Sequence, residues 1–499
     1  KKSVHSITAT GVFSAQKYQY DRLYGASKDL SFNSLWYNLN GGAIESLTSN
    51  FSQWTMMSYV GRINYGLMDR YLLTASLRYD GSSRLSEGNK WALFPSAAIA
   101  WRITEEDFAK NLDWLSNLKL RFSYGQAGNT NSVSPYASEG TISGSVYYPF
   151  GTSTSVGNLP ANIANPMLTW ERTSEYNVGL DFGFLNQRIS GNIEYYNRTT
   201  NDLLMKRNIP VHLGYSSVTS NVGSVRNSGF ELQLNTANIM TKNFAWNTTI
   251  NLAYNKNEIV SLADEEDLSN YSIHLQGMRG RYSDKRFIGK PVDTNWTQNT
   301  IGVWQLGEEE EAAKYGCVPG NFKIKDYNND GKLTDDDYII DGKRTPDWTG
   351  GMTNMFKIYD FDFSFHMYFQ AGATQYDRFF ENFALEWNSQ NFNNLRTNYW
   401  TPENPSNTMG RPSQMGSRGN IAYERTDFLK VSYITLGYTL NKRLMSKWGL
   451  DNARIYVTVQ NPFILTKFRG LDPEQPDLTN IGDTDGMTMN ALLGVNISF

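Results

Sequence analysis

Met489-Asn-Ala-Leu-Leu-Gly-Val-Asn-Ile-Ser-Phe499 alternates along its whole length. Ala491, Leu493, Val495, Ile497 and Phe499 fall on one side, with Asn490, Gly494, Asn496 and Ser498 on the other. Successive side chains of extended backbone point to opposite faces, so period two marks a strand. The pattern recurs upstream. Residues 176–184 set Tyr176, Val178, Leu180, Phe182 and Phe184 against Asn177, Asp181 and two glycines. Residues 361–369 set Phe361, Phe363, Phe365, Met367 and Phe369 against Asp362, Ser364, His366 and Tyr368. About fourteen such segments are expected, near 3–16, 54–68, 69–80, 91–103, 115–127, 173–185, 187–199, 226–238, 243–255, 349–358, 360–371, 426–439, 452–465 and 489–499.

In a water-soluble sandwich the apolar sides would form a core. Two features point to lipid instead. Large aromatics sit near the strand ends, as in the interfacial girdles of a membrane barrel. Connection lengths also alternate. Back from Phe499 they run 466–488 (long), 440–451 (short), 372–425 (long), 359 (short), 256–348 (very long) and 239–242 (short). They continue with 200–225 (long), a tight turn at 186, and 128–172 (long). Outer-membrane barrels pair short periplasmic turns with long extracellular loops. The expected fold is therefore all-β, a transmembrane antiparallel β-barrel whose C-terminus and short turns face the periplasm. Residues 128–172, 256–348 and 372–425 would crown the extracellular mouth, and long loops of this kind are usually functional. No low-complexity linker interrupts 1–499, so a single domain is expected.

Composition agrees. The chain of 499 residues is 14% aromatic, with 30 Tyr and 41 Gly. Its mean hydropathy is −0.50, and no apolar run reaches the length of a spanning helix. A spanning strand shows lipid only at every second residue, so low hydropathy does not exclude it. A formal charge of −3 argues against nucleic acid, which requires a basic face. One cysteine, Cys317, rules out intrachain disulfides and a multi-cysteine zinc site. Lys1 opens the chain without a signal peptide, so a processed or truncated chain is expected.

One local motif carries metal chemistry. Asp326-Tyr-Asn328-Asn-Asp330-Gly331-Lys332-Leu333-Thr334-Asp335-Asp336-Asp337 fits the twelve-residue calcium loop at positions 1, 3, 5, 6 and 12. Oxygen ligands would come from Asp326, Asn328, Asp330, the Lys332 carbonyl, Thr334 (directly or through water) and Asp337. Gly331 permits the sharp turn, and Asp337 stands where an EF-hand has a longer Glu. Without flanking amphipathic helices, the expectation is an ion-pinned extracellular loop, with Ca2+ ahead of Mg2+; the plain alternative is a solvated Asp/Asn turn. Glu308–Glu311 followed by Ala-Ala-Lys is expected to be a short exposed helix or else a contact for a basic patch. Trp387, Tyr399 and Trp400 could stack on sugar rings, pack on a partner, or fold on one another. Asn177, Asp181, Arg188, Glu194, Glu231 and Gln233 are expected to line the lumen, with His366 also facing inward. Searches for Gly-x-Ser-x-Gly, His-Glu-x-x-His and phosphate-loop motifs fail, and no catalytic set is expected. The Asn-x-Ser/Thr matches at Asn197 and Asn247 fall on expected strands and read as chance.

An ordered series of short motifs resembles the SusC/RagA-type TonB-dependent outer-membrane transporters of Bacteroidetes-like bacteria. It runs from Arg78-Tyr-Asp-Gly-Ser-Ser-Arg84 through Phe94-Pro-Ser96, Ala100-Trp-Arg102, Trp170-Glu171, Tyr176–Asp181 and Tyr195-Tyr-Asn197 to Asp202-Leu-Leu204. It then continues through Asp326–Gly331, Pro346-Asp-Trp-Thr-Gly-Gly351, Trp400–Pro405, Phe428–Tyr438, Asn461-Pro-Phe463 and Gly470–Glu474 to Phe499. The resemblance implies the C-terminal part of a barrel of about 22 strands with a plugged lumen, lacking here its plug and first strands. It also implies energy from TonB through the missing N-terminal part, a SusD-like surface lipoprotein as lid, and a dimer of transporter–lipoprotein pairs. The implied function is TonB-dependent import of oligosaccharides or peptides, glycans being modestly favoured. A passive porin or conduit is the alternative, followed by a barrel enzyme or an adhesin.

Overall fold

The computed structural model describes residues 4–32, 34, 36–210, 212, 214–215, 217–385, 397–412, 417–441, 445, 449–475 and 487–499. Fourteen strands form its main sheet. They are β1 (His5–Lys28), β2 (Ala43–Leu67), β3 (Tyr71–Ser82), β4 (Trp91–Arg102), β5 (Leu115–Asn129), β6 (Glu171–Phe184) and β7 (Ile189–Asn201). The remainder are β8 (Ser224–Met240), β9 (Phe244–Ser261), β10 (Trp348–Ile358), β11 (Phe361–Ala371), β12 (Phe428–Thr439), β13 (Asn452–Thr466) and β14 (Asn490–Ser498). Every strand neighbours those next to it in sequence, an antiparallel meander with β1 and β14 at the ends of the order. That is the connectivity of up-and-down barrels.

Register keeps the two faces distinct. Phe363 pairs with Leu436 and Phe365 with Ile434, while Leu436 pairs with Val457 and Val457 with Leu493. His366 opposes Tyr433, and Tyr368 opposes Lys430, on the other face. Since a one-residue slip would exchange the faces, the apolar pattern itself fixes these pairings. Turns at one end are tight: Met68 and Asp69 both have positive φ (55° and 57°), the geometry of short hairpins whose twist suits the strands. Aromatic pairs band the apolar face near the short turns, including Trp114–Phe184 at 5.8 Å, Trp246–Phe356 at 5.6 Å and Phe361–Tyr438 at 4.7 Å. Near the long connections Phe230, Tyr254 and Trp348 pack together. No described helix is long and apolar enough to cross a membrane.

Two compact units divide the chain: one of residues 1–101, 122–176 and 198–224, the other of 102–121, 177–197 and 225–499. In the first, Leu85, Phe94, Val133, Leu168 and Trp170 form a buried cluster. Trp170 donates its indole N–H to the Lys90 carbonyl at 3.0 Å. Arg84 lies 4.5 Å from the Trp54 ring and donates to the Thr130 and Val133 carbonyls. Gly128 is required there, because a Cβ would meet Phe94 at 2.2 Å and Trp170 at 2.7 Å. These residues account physically for three of the motifs quoted above.

In the second unit the β9–β10 connection folds on itself. Leu268, Leu275, Tyr282 and Phe287 make one core and Trp304, Ala312 and Cys317 another. The helix α1 (Glu309–Lys314) sits where the acidic run pointed. A third core joins Val303, Phe322 and Ile324 to Phe380, Trp400, Met409 and Ala422 of the β11–β12 connection. The two long connections thus form one packed layer.

Candidate functional site

The polar face of the second unit gathers most of the charge that the sequence placed there. Arg121 on β5 donates through Nε to both Asp181 carboxylate oxygens at 3.0 and 3.1 Å, and through Nη2 to Oδ1 at 2.7 Å. The same Nη2 reaches Glu194 Oε1 at 2.7 Å. Asn177 donates to Glu194 Oε2 at 3.1 Å, and Lys119 Nζ lies 3.2 Å from Asp181. Two acids and two cations therefore neutralise one another, with hydrogen bonds filling the remaining lone pairs, as partly buried ion pairs require. Neither Arg121 nor Lys119 was singled out from sequence. The signal was present: Leu118, Leu120 and Phe122 alternate with Lys119 and Arg121, which puts two cations opposite the acidic face of the next strand.

Beside this cluster lies a cavity of about 410 Å³ lined by Glu194, Glu231, Gln233, Asn251, His366 and Tyr368, among others. His366 Nδ1 shares a hydrogen bond with Thr353 Oγ1 at 2.8 Å, and its ring stacks on Tyr433 at 5.8 Å. Gly351 leaves the space beside it, since a Cβ there would approach His366 Cε1 to 3.0 Å. Glu231 is exposed. Asn177, Asp181, Glu194, Glu231, Gln233 and His366 thus occupy one polar region. Arg188 does not join them: its guanidinium donates to the Ala237 and Asn238 carbonyls near the end of β8.

The motif 326–337 forms a compact acidic loop. Asp326 is buried, accepting from Asn329 N at 2.6 Å and, through Oδ2, from Gly331 N and the Tyr315 hydroxyl, each at 3.0 Å. Burial pushes the Asp326 carboxyl up, but the Gly331 N–H, the Tyr315 hydroxyl and the Asn329 N–H outweigh it and hold it below the usual aspartate range. Asp337, fully buried, accepts from Tyr327 N at 2.8 Å and Thr334 N at 2.9 Å. Asp330 accepts from Lys332 N and from Asn328 Nδ2. Thr334 caps the short turn Asp335–Asp337. Asn329 and Gly331 take positive φ, 56° and 77°. Among the described residues no three acidic, histidine or cysteine side chains converge as metal ligands. Trp400 is buried and donates to Gln305 Oε1 at 3.0 Å, so it belongs to the loop core; Tyr399 is exposed. Trp387 lies outside the described residues.

A meander of strands with one banded apolar face, one polar face and long folded connections at one end defines an outer-membrane β-barrel protein. The chain belongs to the family described as TonB dependent receptor-like, beta-barrel, whose profile matches residues 5–349. It is 33% identical over 518 residues to the TonB-dependent receptor P26 of Formosa agariphila, covering 99% of this chain and 51% of that one. The TonB-dependent receptor SusC of Bacteroides thetaiotaomicron is 35% identical over 457 residues, covering 89% of this chain and 44% of that one. The solved RagAB peptide importer in an open state superposes with a TM-score of 0.80 at 23% identity, over 99% of this chain and 53% of that one. The chain spans about half the length of the curated relatives it matches. Its location is the outer membrane, as for SusC/RagA-type proteins of Bacteroidetes.

Proposed function

We propose that the full-length protein imports an oligosaccharide across the outer membrane in a TonB-dependent manner, this chain forming the C-terminal part of a barrel of about 22 strands with a plug. The observation that carries this reading is the polar cavity at Glu231, Gln233 and His366 on the strand wall, open to hydrogen bonding and next to a charge-neutralised cluster. Hydroxyl-rich ligands suit such a surface, because many weak hydrogen bonds orient them. Short peptides are the second reading, favoured by the exposed Glu231 carboxylate, which could meet a peptide amino group. A SusD-like lipoprotein lid, and a dimer of such pairs, are part of the proposal and rest on the resemblance of the motif series to SusC/RagA-type transporters. The test is uptake of labelled oligosaccharides by cells carrying or lacking the gene. Uptake that requires both the gene and an energised inner membrane supports active import. Uptake that persists after uncoupling means a passive conduit.

A second part of the proposal concerns the loop 326–337. It binds one calcium ion through Asp326, Asn328, Asp330, the Lys332 carbonyl, Thr334 and Asp337, the ion gathering side chains that otherwise hold backbone N–H groups. Its role is to pin the β9–β10 connection. Calcium should raise the protease resistance of residues 262–347 in the full-length protein, and Asp330→Ala should abolish that response. No calcium bound at millimolar concentration, measured by equilibrium dialysis, would end this part.

A further inference from the structure

At the ends of β11, β12 and β13 the rim of the apolar face carries cationic side chains. At the long-connection ends of β11, β12 and β13, Phe369 pairs with Leu429 and Leu429 with Leu465, so the three form a row on the lipid-facing side. Just past this row the strands end: β11 stops at Ala371, β13 stops at Thr466 and β12 begins at Phe428. Ala371 follows Phe369, Lys467 follows Leu465, and Asp427 and Arg425 precede Leu429. These residues line a groove of about 1110 Å³, large by the standard of small-molecule sites. Leu465 is 62% exposed and Arg425 lies at the rim with its side chain 67% exposed. By contrast, the corresponding rim at β8–β10 is closed by Phe230, Tyr254 and Trp348.

The charges at the groove are Arg425, Asp427 and Lys467. Arg425 pairs with Asp427 at 2.6 Å, and Asp427 also accepts from Gly372 N at 2.7 Å. Lys467 is exposed and has no charged partner among the described residues. The top of the groove therefore carries net positive charge above hydrocarbon-compatible side chains. Long connections mark the extracellular side, so this rim meets the headgroups of the outer leaflet. Basic groups at that depth attract anionic headgroups, and lysine and arginine stems lie along apolar surface while their charges reach the interface.

We propose that this groove holds a phosphate-bearing lipid of the outer leaflet, its acyl chain on Phe369, Leu429 and Leu465 and its phosphate on Lys467 and Arg425. Continuity with the lipid-facing wall and the charge of the rim select a lipid over a protein partner. The site is distinct from the polar face and needs no ligand uptake.

The test uses full-length protein in nanodiscs of phosphatidylcholine with one part in five phosphatidylglycerol or monophosphoryl lipid A. Lipids retained after mild extraction are counted by native mass spectrometry. Wild type should retain the anionic lipid several-fold above its share, Lys467→Gln should lose that enrichment, and Leu465→Trp should lose it by filling the groove. Phosphatidylcholine retention should not change. Enrichment of phosphatidylglycerol but not of monophosphoryl lipid A identifies a glycerophospholipid; the reverse identifies the phosphorylated glycolipid. Equal retention of anionic lipid by wild type and both variants overturns the proposal. So does a change of oligomeric mass without a change of bound lipid, which would assign the groove to a protein contact. Heat-modifiable migration of each variant confirms that it is folded.

Discussion

Asp377 shows how a single residue can make a loop pH-sensitive. Its side chain is wholly buried, Oδ1 accepts the Phe380 N–H at 2.9 Å, and Oδ2 has no hydrogen-bond partner among the described residues. Gly470 faces it closely, since a Cβ there would lie 2.8 Å from Oδ2. Burial pushes the carboxyl up to about 6; the Phe380 N–H and Arg469 pull it down, while Glu424 adds to the rise. Its ordinary value is about 3.9. The folded loop thus holds the proton more tightly than an unfolded chain does. Stability is then greatest below the ordinary value and declines as pH rises towards 6, above which it levels off. Hydrogen exchange of residues 378–385 and 421–425, corrected for intrinsic rate, should be unchanged above about pH 6 and slow progressively as pH falls below it. In Asp377→Asn, which keeps an acceptor for Phe380 and removes the charge, protection should be high and flat across pH 5–7.5. The same slope in wild type and variant would show that Asp377 is not the titrating group.

At the scale of strands, the polar face repeats one device: a contact that spans two strands over a glycine of the strand between. Arg121 of β5 reaches Glu194 of β7 over Gly179 of β6, where a Cβ would lie 2.9 Å from the guanidinium. Tyr196 of β7 donates to Asn255 of β9 at 2.9 Å over Gly229 of β8, where a Cβ would lie 2.8 Å from the hydroxyl. Arg454 of β13 reaches Asp362 of β11 at 2.8 Å over Gly437 of β12, where a Cβ would lie 2.5 Å from both side chains. Gly437→Ala should therefore cost about 1–3 kcal/mol by overpacking, read from urea unfolding of the refolded full-length protein. Arg454→Ala removes one of the side chains that the added methyl group would strike. The double variant should cost clearly less than the sum of the two singles; strict additivity would refute the contact. Alternation made these strands legible: about fourteen were expected, and fourteen form the main sheet. It could not reveal the two-strand contacts, because register between strands is not written in either strand alone. It also undercounted β1 and β2, expected at 3–16 and 54–68 but found at His5–Lys28 and Ala43–Leu67. From Gln16 to Lys28 polar residues occur on both faces, so the lipid-imposed period fades. The hairpins Ile142–Phe150/Ser153–Pro160 and Leu204–Asn208/Ser217–Asn221 were hidden for the same reason. In the acidic loop the composition was legible, but the choice of backbone N–H groups as partners for Asp326 and Asp337 was not.

For the whole molecule the decisive feature is the pair of end strands. β1 and β14 close the strand order, and neither pairs on its outer side within the sheet. Nearly all of β1 is exposed on both faces. An unpaired backbone group in hydrocarbon costs several kcal/mol, and β1 alone would present many. Such a sheet can persist in a bilayer only if further strands cover both edges, which is what the proposed barrel of about 22 strands supplies. The expected outcome is sharp. Residues 1–499 expressed and refolded into lipid without the rest of the protein should give no heat-modifiable band and should remain protease-sensitive. The full-length protein should give both the band and resistance. Adding the remaining part as a separate chain should restore them if the edges pair as proposed. A stable, protease-resistant barrel from residues 1–499 alone would mean that fourteen strands close on themselves. The plugged 22-strand reading, and with it the proposed route for active import, would then have to be abandoned.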